Sequence, residues 1–171
     1  MQRVIRRSLS TVKNISAQSV FEKSCYNKID FKISEDATAY EASIRFSAFN
    51  IGCLAVVQNE SNKVIGVVSE RDLIHKVIST RKNSDEVKIK EICTSSPNII
   101  ASKQSDSLDD CMNKMMFKGI KHLMIVDDKT SECTGMISIR DVIKEVNQKN
   151  KDLIMRLSDF NIGKGAYFSS E

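Results

Sequence analysis

The sequence predicts an α/β (α+β) fold built from two tandem β-α-β-β-α units packed about a pseudo-two-fold axis. Three observations predict it. Shifting the 171-residue chain by 69 positions lays IGCLAVV (51–57) on IKHLMIV (120–126) and GVVSERDLI (66–74) on GMISIRDVI (135–143) without a gap. Short apolar runs bounded by polar turns alternate with stretches of helical periodicity. Each unit is also too small to bury a full core alone, so the two must share one.

The elements follow the same order in both copies. A short strand (Phe31–Ile33; Ile99–Ala101) leads to a helix that starts beside Asp36 in one copy and Ser105 in the other, both good N-cap types. Ala39, Ala42 and Phe46 match Leu108, Cys111 and Met115 at i, i+3, i+7 spacing, which marks the buried face. The helices end at Asn50 and Gly119, residue types suited to a left-handed C′ position. A strand (Leu54–Val57; Leu123–Val126), a polar hairpin-like loop, a second strand (Ile65–Val68; Gly135–Ile137) and a second helix (from Glu70; from Ile139) complete each unit. Residues 78–90 join the copies, with a polar loop around Asn83-Ser84-Asp85 and VKIKEIC as the lead-in to the second. The organisation predicted is a leader over 1–24, copy one over 25–82, copy two over 83–150 and a tail over 151–171.

The net charge of +4 would suit nucleic acid only if the folded part carried it. It does not. Arg3, Arg6, Arg7 and Lys13 precede the first acid, Glu22; setting these four aside from 26 basic residues leaves 22 against 22 acidic ones. The same composition, with Ile5, Leu9 and Val12 near one helical face, matches a mitochondrial transit peptide, and so predicts a matrix location; a basic tail on a cytoplasmic protein is the alternative. No apolar run approaches the roughly 20 residues a membrane-spanning helix needs.

Five cysteines, Cys25, Cys53, Cys93, Cys111 and Cys133, form no CxxC, and neither His75 nor His122 stands at finger-like spacing from a cysteine pair. Free thiols in a reducing compartment and no metal site are expected. Met112, Met115 and Met116 read as core or dimer-face residues, and His75 as a helix-surface residue.

The doubled G-x-x-S-x-R-D and the KHLMIVDD strand resemble the CBS-domain pair, over about residues 25–150. RLSDFNIGKGAYF resembles the ending of stand-alone two-repeat members, some of them mitochondrial. One departure is that Ala55 and Met124 stand where members often carry proline. The resemblance implies two clefts between the copies and an adenosine-containing ligand, AMP, ADP or ATP, with S-adenosylmethionine or NADH as further candidates. It also implies a homodimer, a regulated partner protein and no reaction of its own. Lys121 and His122 would meet phosphates; Gly52 and Cys53 stand at the matching positions of the first copy, so the clefts should be unequal.

The residues suit that chemistry. Asp72 and Asp141 sit three residues after Ser69 and Ser138, at the start of a helix. A carboxylate accepts from both hydroxyls of a ribose, and such charge-assisted bonds are strong. The serine hydroxyls and free N–H groups of the first turn can hold a ribose or phosphate oxygen. Ser-x-x-Asp is equally the pattern of a capping box, which would need no ligand. Arg71 and Arg140 can fork onto phosphate or pair with a nearby carboxylate such as Glu70, Glu145 or Asp152. Lys121 supplies a point charge, and His122 would add one near its ordinary pKa of about 6.5; the alternative for both is a solvated strand end. Redox sensing at Cys53 has a weaker basis than burial as a small apolar side chain.

Two functions from different classes follow: a ligand-sensing regulatory module, or an accessory subunit of a mitochondrial assembly with empty clefts. No phosphate-binding lysine loop, GxSxG, HExxH or Cys-His pair suggests an enzyme.

Overall fold

The computed structural model describes residues 15–61 and 63–161, with only the backbone of 159–161. The first fourteen residues of the expected leader lie outside the described chain. The described chain opens on α1 (Ala17–Lys23) and one 3₁₀ turn (Cys25–Lys28). Copy one then runs β1 (Lys32–Ser34), α2 (Ala39–Phe49), β2 (Cys53–Val57), β3 (Val64–Ser69) and α3 (Glu70–Leu73), which continues as a π turn over Ile74–Ile78. A linking segment carries α4 (Ile89–Ile92) and β4 (Thr94–Ser95). Copy two repeats the order with β5 (Ala101–Lys103), α5 (Leu108–Lys118), β6 (His122–Val126), β7 (Cys133–Ser138) and α6 (Ile139–Asn161).

The first sheet has the order β1-β2-β3-β4 and the second β5-β6-β7. In each, the first strand runs parallel to the second and the second antiparallel to the third. A register shift falls between Val56 and Val57 in one sheet and between Ile125 and Val126 in the other, matching positions of the repeat. The expected helical faces are the buried ones: Ala39, Ala42, Phe46, Leu108, Cys111 and Met115 all lie in the core. Asn50 and Gly119 end their helices at φ 51° and 62°.

The helix starts differ from the sequence expectation by two residues. Thr38 and Ser107 are the N-caps, each in a reciprocal capping box with Glu41 or Asp110, which stabilises the start by about 1 kcal/mol. Asp36 is engaged elsewhere, by the Lys90 ammonium at 2.8 Å and the Asn59 amide at 2.7 Å. α6 also absorbs most of the expected tail, carrying helix through residue 161.

The larger correction concerns the lead-in segments, which cross over. Residues 15–24, assigned to the leader by composition, belong to the fold. Ala17, Val20 and Phe21 of α1 are buried, and the backbone bonds Leu108 N–H to Ile15 O (2.8 Å), Ala17 N–H to Asp106 O (2.8 Å) and Gln18 N–H to Gln104 O (3.1 Å) tie the segment to copy two. The lead-in of copy two answers on copy one: Ala39 N–H to Val87 O (2.9 Å), Ile89 N–H to Ala37 O (2.9 Å) and Lys90 N–H to Glu35 O (3.0 Å). β4 then adds to the edge of β3. So residues 83–95 pack with the first copy, and α1 with the second.

This exchange explains two glycines. A Cβ on Gly66 would lie 2.9 Å from the Thr94 carbonyl oxygen, and one on Gly135 would lie 2.8 Å from the Phe21 ring. Each glycine lets the other copy's lead-in lie flat on the sheet. Gly135→Ala should therefore destabilise the fold by about 1–3 kcal/mol through overpacking. In a Phe21→Ala background the same change should cost much less; urea unfolding of the four proteins of the cycle measures the difference. Additive costs would remove Phe21 as the reason for the glycine.

Candidate functional site

The two copies meet where β2 and β6 begin. Gly52, Glu70, Lys121 and His122 line both of the cavities that open on either side of that junction. Gly52 permits this approach, since a Cβ there would stand 3.0 Å from the His122 ring and 3.2 Å from the Glu70 carboxylate. All eight residues singled out in the sequence line one cavity or the other. Ser69, Arg71 and Asp72 face the first; Ser138, Arg140 and Asp141 face the second; Lys121 and His122 face both.

The first cavity, about 200 Å³, is lined by side chains of two kinds. One is apolar, with Val67, Ile99, Ile100, Ile120, Met124 and Met136. Sequence reading missed these because apolar strand residues look alike whether they fill a core or wall a cavity. The other is polar, with Ser69, Asp72, Arg71 and Lys121. A flat, mostly apolar ring suits the first kind of wall, and a polar group carrying hydroxyls or an anion suits the second.

Asp72 shows that capping and cavity lining are compatible. Its Oδ2 accepts from the Ser69 backbone N–H at 3.0 Å and from the Ser69 hydroxyl at 2.6 Å. Ser69 Oγ in turn accepts the Asp72 N–H at 3.4 Å, closing the capping box. The other oxygen, Oδ1, meets the Lys76 ammonium at 2.8 Å, and the side chain remains 17% exposed. Lys76 also donates to the Ile92 carbonyl at 2.5 Å. The carboxylate is thus fixed in position, and an incoming hydroxyl would share Oδ1 with a lysine.

Asp141 is capped in the same way, by the Ser138 N–H at 2.7 Å and the Ser138 hydroxyl at 2.6 Å. Its surroundings differ. Glu145 stands where Lys76 stands in copy one, and pairs at 2.6 Å with Lys23 of α1. The Ser24 hydroxyl, buried, donates to Asp141 Oδ2 at 3.0 Å. Tyr26, also buried, lies edge-on to the His122 and Phe31 rings and donates its hydroxyl to the Cys53 carbonyl at 3.2 Å. The second cavity, about 220 Å³, lies beside these residues and holds none of the apolar strand residues that wall the first.

His122 does not supply the positive charge expected of it. Burial holds its pKa down to about 4, with Asp141 opposing and Lys121 and Arg140 reinforcing the shift. It is neutral at pH 7 and offers one donor and one acceptor. Neither Arg71 nor Arg140 forms an ion pair among the described residues, so the carboxylate partners considered for them are not taken up. Burial pushes the Cys53 thiol up to about 12, which leaves it a protonated apolar group. Met115 is buried and Met116 exposed, and His75 is a surface residue. Among the described residues no group of three metal-ligating side chains gathers, and no helix is long and apolar enough to cross a membrane.

A doubled β-α-β-β-α unit with a serine-aspartate box at each copy's second helix defines a class of paired modules with inter-repeat clefts. The family model for the CBS domain matches residues 27–79 and 89–148, and the chain belongs to that family. It is 33% identical over 111 residues to an uncharacterized protein of Methanopyrus kandleri, covering 65% of this chain and 55% of the relative. It is 29% identical over 126 residues to CBS domain-containing protein CBSX3, mitochondrial, of Arabidopsis thaliana, covering 73% and 60%. The chain therefore spans between half and two thirds of the length of these relatives. A putative signal-transduction protein with CBS domains from Burkholderia ambifaria superposes with a TM-score of 0.68 at 26% identity, over 77% of this chain and 93% of that one. A CBS domain protein of Pyrobaculum aerophilum, solved as a complex with AMP, shares the fold with a TM-score of 0.59 at 24% identity, over 68% and 90%.

The state of His122 has a measurable consequence. Its folded pKa lies below the unfolded value of about 6.5, so its contribution to stability is full above that value. The contribution is lost as pH falls toward 4. Between pH 7 and pH 5 the protein should lose about 1–2 kcal/mol through this group. His122→Gln should flatten that part of the profile in urea unfolding; an equal loss in the variant would show that His122 is solvated in the folded state.

Proposed function

We propose that the chain is a regulatory module that binds one adenosine-containing ligand in the first cavity and reports it to a partner protein, without catalysing a reaction. The carrying observation is that, of the two cavities at the junction, the first combines apolar walls with a fixed carboxylate and cationic side chains. The purine lies among Ile100, Met124 and Met136. Asp72 accepts from the ribose hydroxyls, and Lys121 and Arg71 meet the phosphate. A single phosphate suits the site best, because Glu70 at the junction opposes a longer anionic chain. AMP is the ligand this favours among AMP, ADP and ATP. S-adenosylmethionine, which is held with 5′-methylthioadenosine by a CBS pair of the same fold, is the phosphate-free competitor.

Ligand acts by favouring one arrangement of the two copies, since both contribute walls to the cavity. The exposed helix residues Tyr40, Ile44, Ile78 and Phe117 support the homodimer that the family resemblance implies. A matrix location is supported by the basic, acid-free start of the chain and by the mitochondrial relative. The accessory-subunit reading draws its support from the caps: both carboxylates already have work in the fold without any ligand.

Calorimetry with the purified chain separates the readings. AMP should bind, and Asp72→Asn should weaken it by tenfold or more, as a charge-assisted bond contributes about 1.5–3 kcal/mol. Asparagine keeps an acceptor for the Ser69 cap, so the variant should fold normally. Lys121→Met should weaken AMP and leave adenosine unchanged. No heat with AMP, ATP, NADH or S-adenosylmethionine on ligand-stripped protein would favour the accessory subunit.

A further inference from the structure

We propose that the second cleft is occupied by the protein's own lead-in, with Ser24 and Tyr26 standing in for the sugar and base of a nucleoside. The proposal rests on the reading of the clefts as nucleoside sites, and it extends that reading to why one cleft has apolar walls for a base and the other does not. The repeat supplies the frame. Moving each wall of the first cleft by 69 positions gives the wall expected of the second. Ser69, Arg71, Asp72 and Ile120 become Ser138, Arg140, Asp141 and Ile51, and all four do line the second cavity. Val67, Ile100, Met124 and Met136 become Met136, Phe31, Ala55 and Val67, and none of these does. The half of the cleft that would take a base is missing, while the half that would take sugar and phosphate is present.

Tyr26 accounts for the missing half. Its ring packs edge-on to Phe31, the counterpart of Ile100, with centroids 6.4 Å apart, and to His122 with centroids 6.1 Å apart. Its hydroxyl is satisfied by the Cys53 carbonyl, so the ring is anchored at both ends. Ser24 places a hydroxyl on Asp141 at 3.0 Å, the same bond type that a ribose hydroxyl would make. The Tyr26 N–H closes the turn onto Ser24 Oγ at 3.2 Å. Lys23 pairs with Glu145 one turn along α6 and pins the segment. The lead-in of copy two makes no such turn: Thr94, Asn98, Ile99 and Ile100 stand as walls of the open first cleft. The exchange of lead-ins therefore fills the base half of one cleft and walls that of the other.

The second cleft is then latent. It retains a capped carboxylate, a serine and Arg140, and takes the same ligand class once the lead-in is displaced. An occupant of this kind sets the stoichiometry at one nucleotide per chain.

Titration of the full chain with AMP tests this. Wild type should bind one AMP, and Asp72→Asn should weaken that site by tenfold or more. Adding Ser24→Ala and Tyr26→Ser to Asp72→Asn should restore AMP binding at least tenfold over Asp72→Asn alone, and a further Asp141→Asn should abolish the gain. Ser24→Ala alone, which leaves the core intact, should give a smaller gain of the same dependence on Asp141. Circular dichroism establishes that each variant is folded. Two AMP per wild-type chain, or no gain in folded variants, would overturn the proposal. If no protein of the series, wild type included, binds AMP, the reading of the first cleft fails, and the plug is judged by the proton NMR titration of His122. Its pKa should rise in Tyr26→Ser toward the ordinary value, and an unmoved pKa would overturn the plug as well.

Discussion

The exchange of lead-in segments is the constraint on which the rest of the structure depends. Each copy's sheet and helices leave an apolar sheet face, and the segment that covers it comes from in front of the other copy. α1 covers β7, and β4 extends β3. Neither half can be completed without the other, so the clefts between them are composite by construction. The glycines at 66 and 135 are the local cost of that contact. They give up side-chain packing so that Thr94 and Phe21 can approach the strands.

Because the two lead-ins differ in sequence, a symmetric framework yields unequal clefts. The serine-aspartate boxes are nearly superposable: each carboxylate accepts its serine's N–H and hydroxyl within 3.0 Å. What differs is the neighbour of each box. Lys76 faces Asp72, whereas Ser24 faces Asp141. A capped aspartate is a rigid acceptor, and rigidity is what a recognition site needs, since no side-chain entropy remains to be lost when the ligand arrives. The same bonds that hold the helix start therefore fix the acceptor on which the proposed function relies.

Much of this was legible in the chain. The repeat, the core faces of α2 and α5 and the left-handed ends at Asn50 and Gly119 follow from spacing and residue type; the eight site residues, chosen with the help of the family resemblance, lie among the cavity walls. The helix starts were misplaced because Asp36 and Thr38 are both good caps. Thr38 closes a capping box with Glu41, and Asp36 is taken by Lys90, which arrives from the other lead-in. The crossing itself was hidden. The lead-ins pair at an offset of 72 while the rest of the repeat keeps 69, as Ile15 and Val87 show by bonding to Leu108 and Ala39. α1 also follows directly on the basic stretch and reads as its continuation. His122 was misjudged for a related reason: its charge is set by burial among residues distant in sequence, Tyr26 and Gly52 among them. Only the recurrence of glycine at 66 and 135 carried a trace of the exchange, and a strand glycine by itself does not say what approaches it.

The central claim is that one cleft, walled by both copies and anchored on Asp72, receives the nucleotide. A crystal structure of the chain grown with AMP tests it most directly. The account predicts one nucleotide per chain, its base between Ile100 and Met136 and its ribose hydroxyls on Asp72, with Ser24 still on Asp141. Nucleotide density beside Asp141 with the first cavity empty would contradict it.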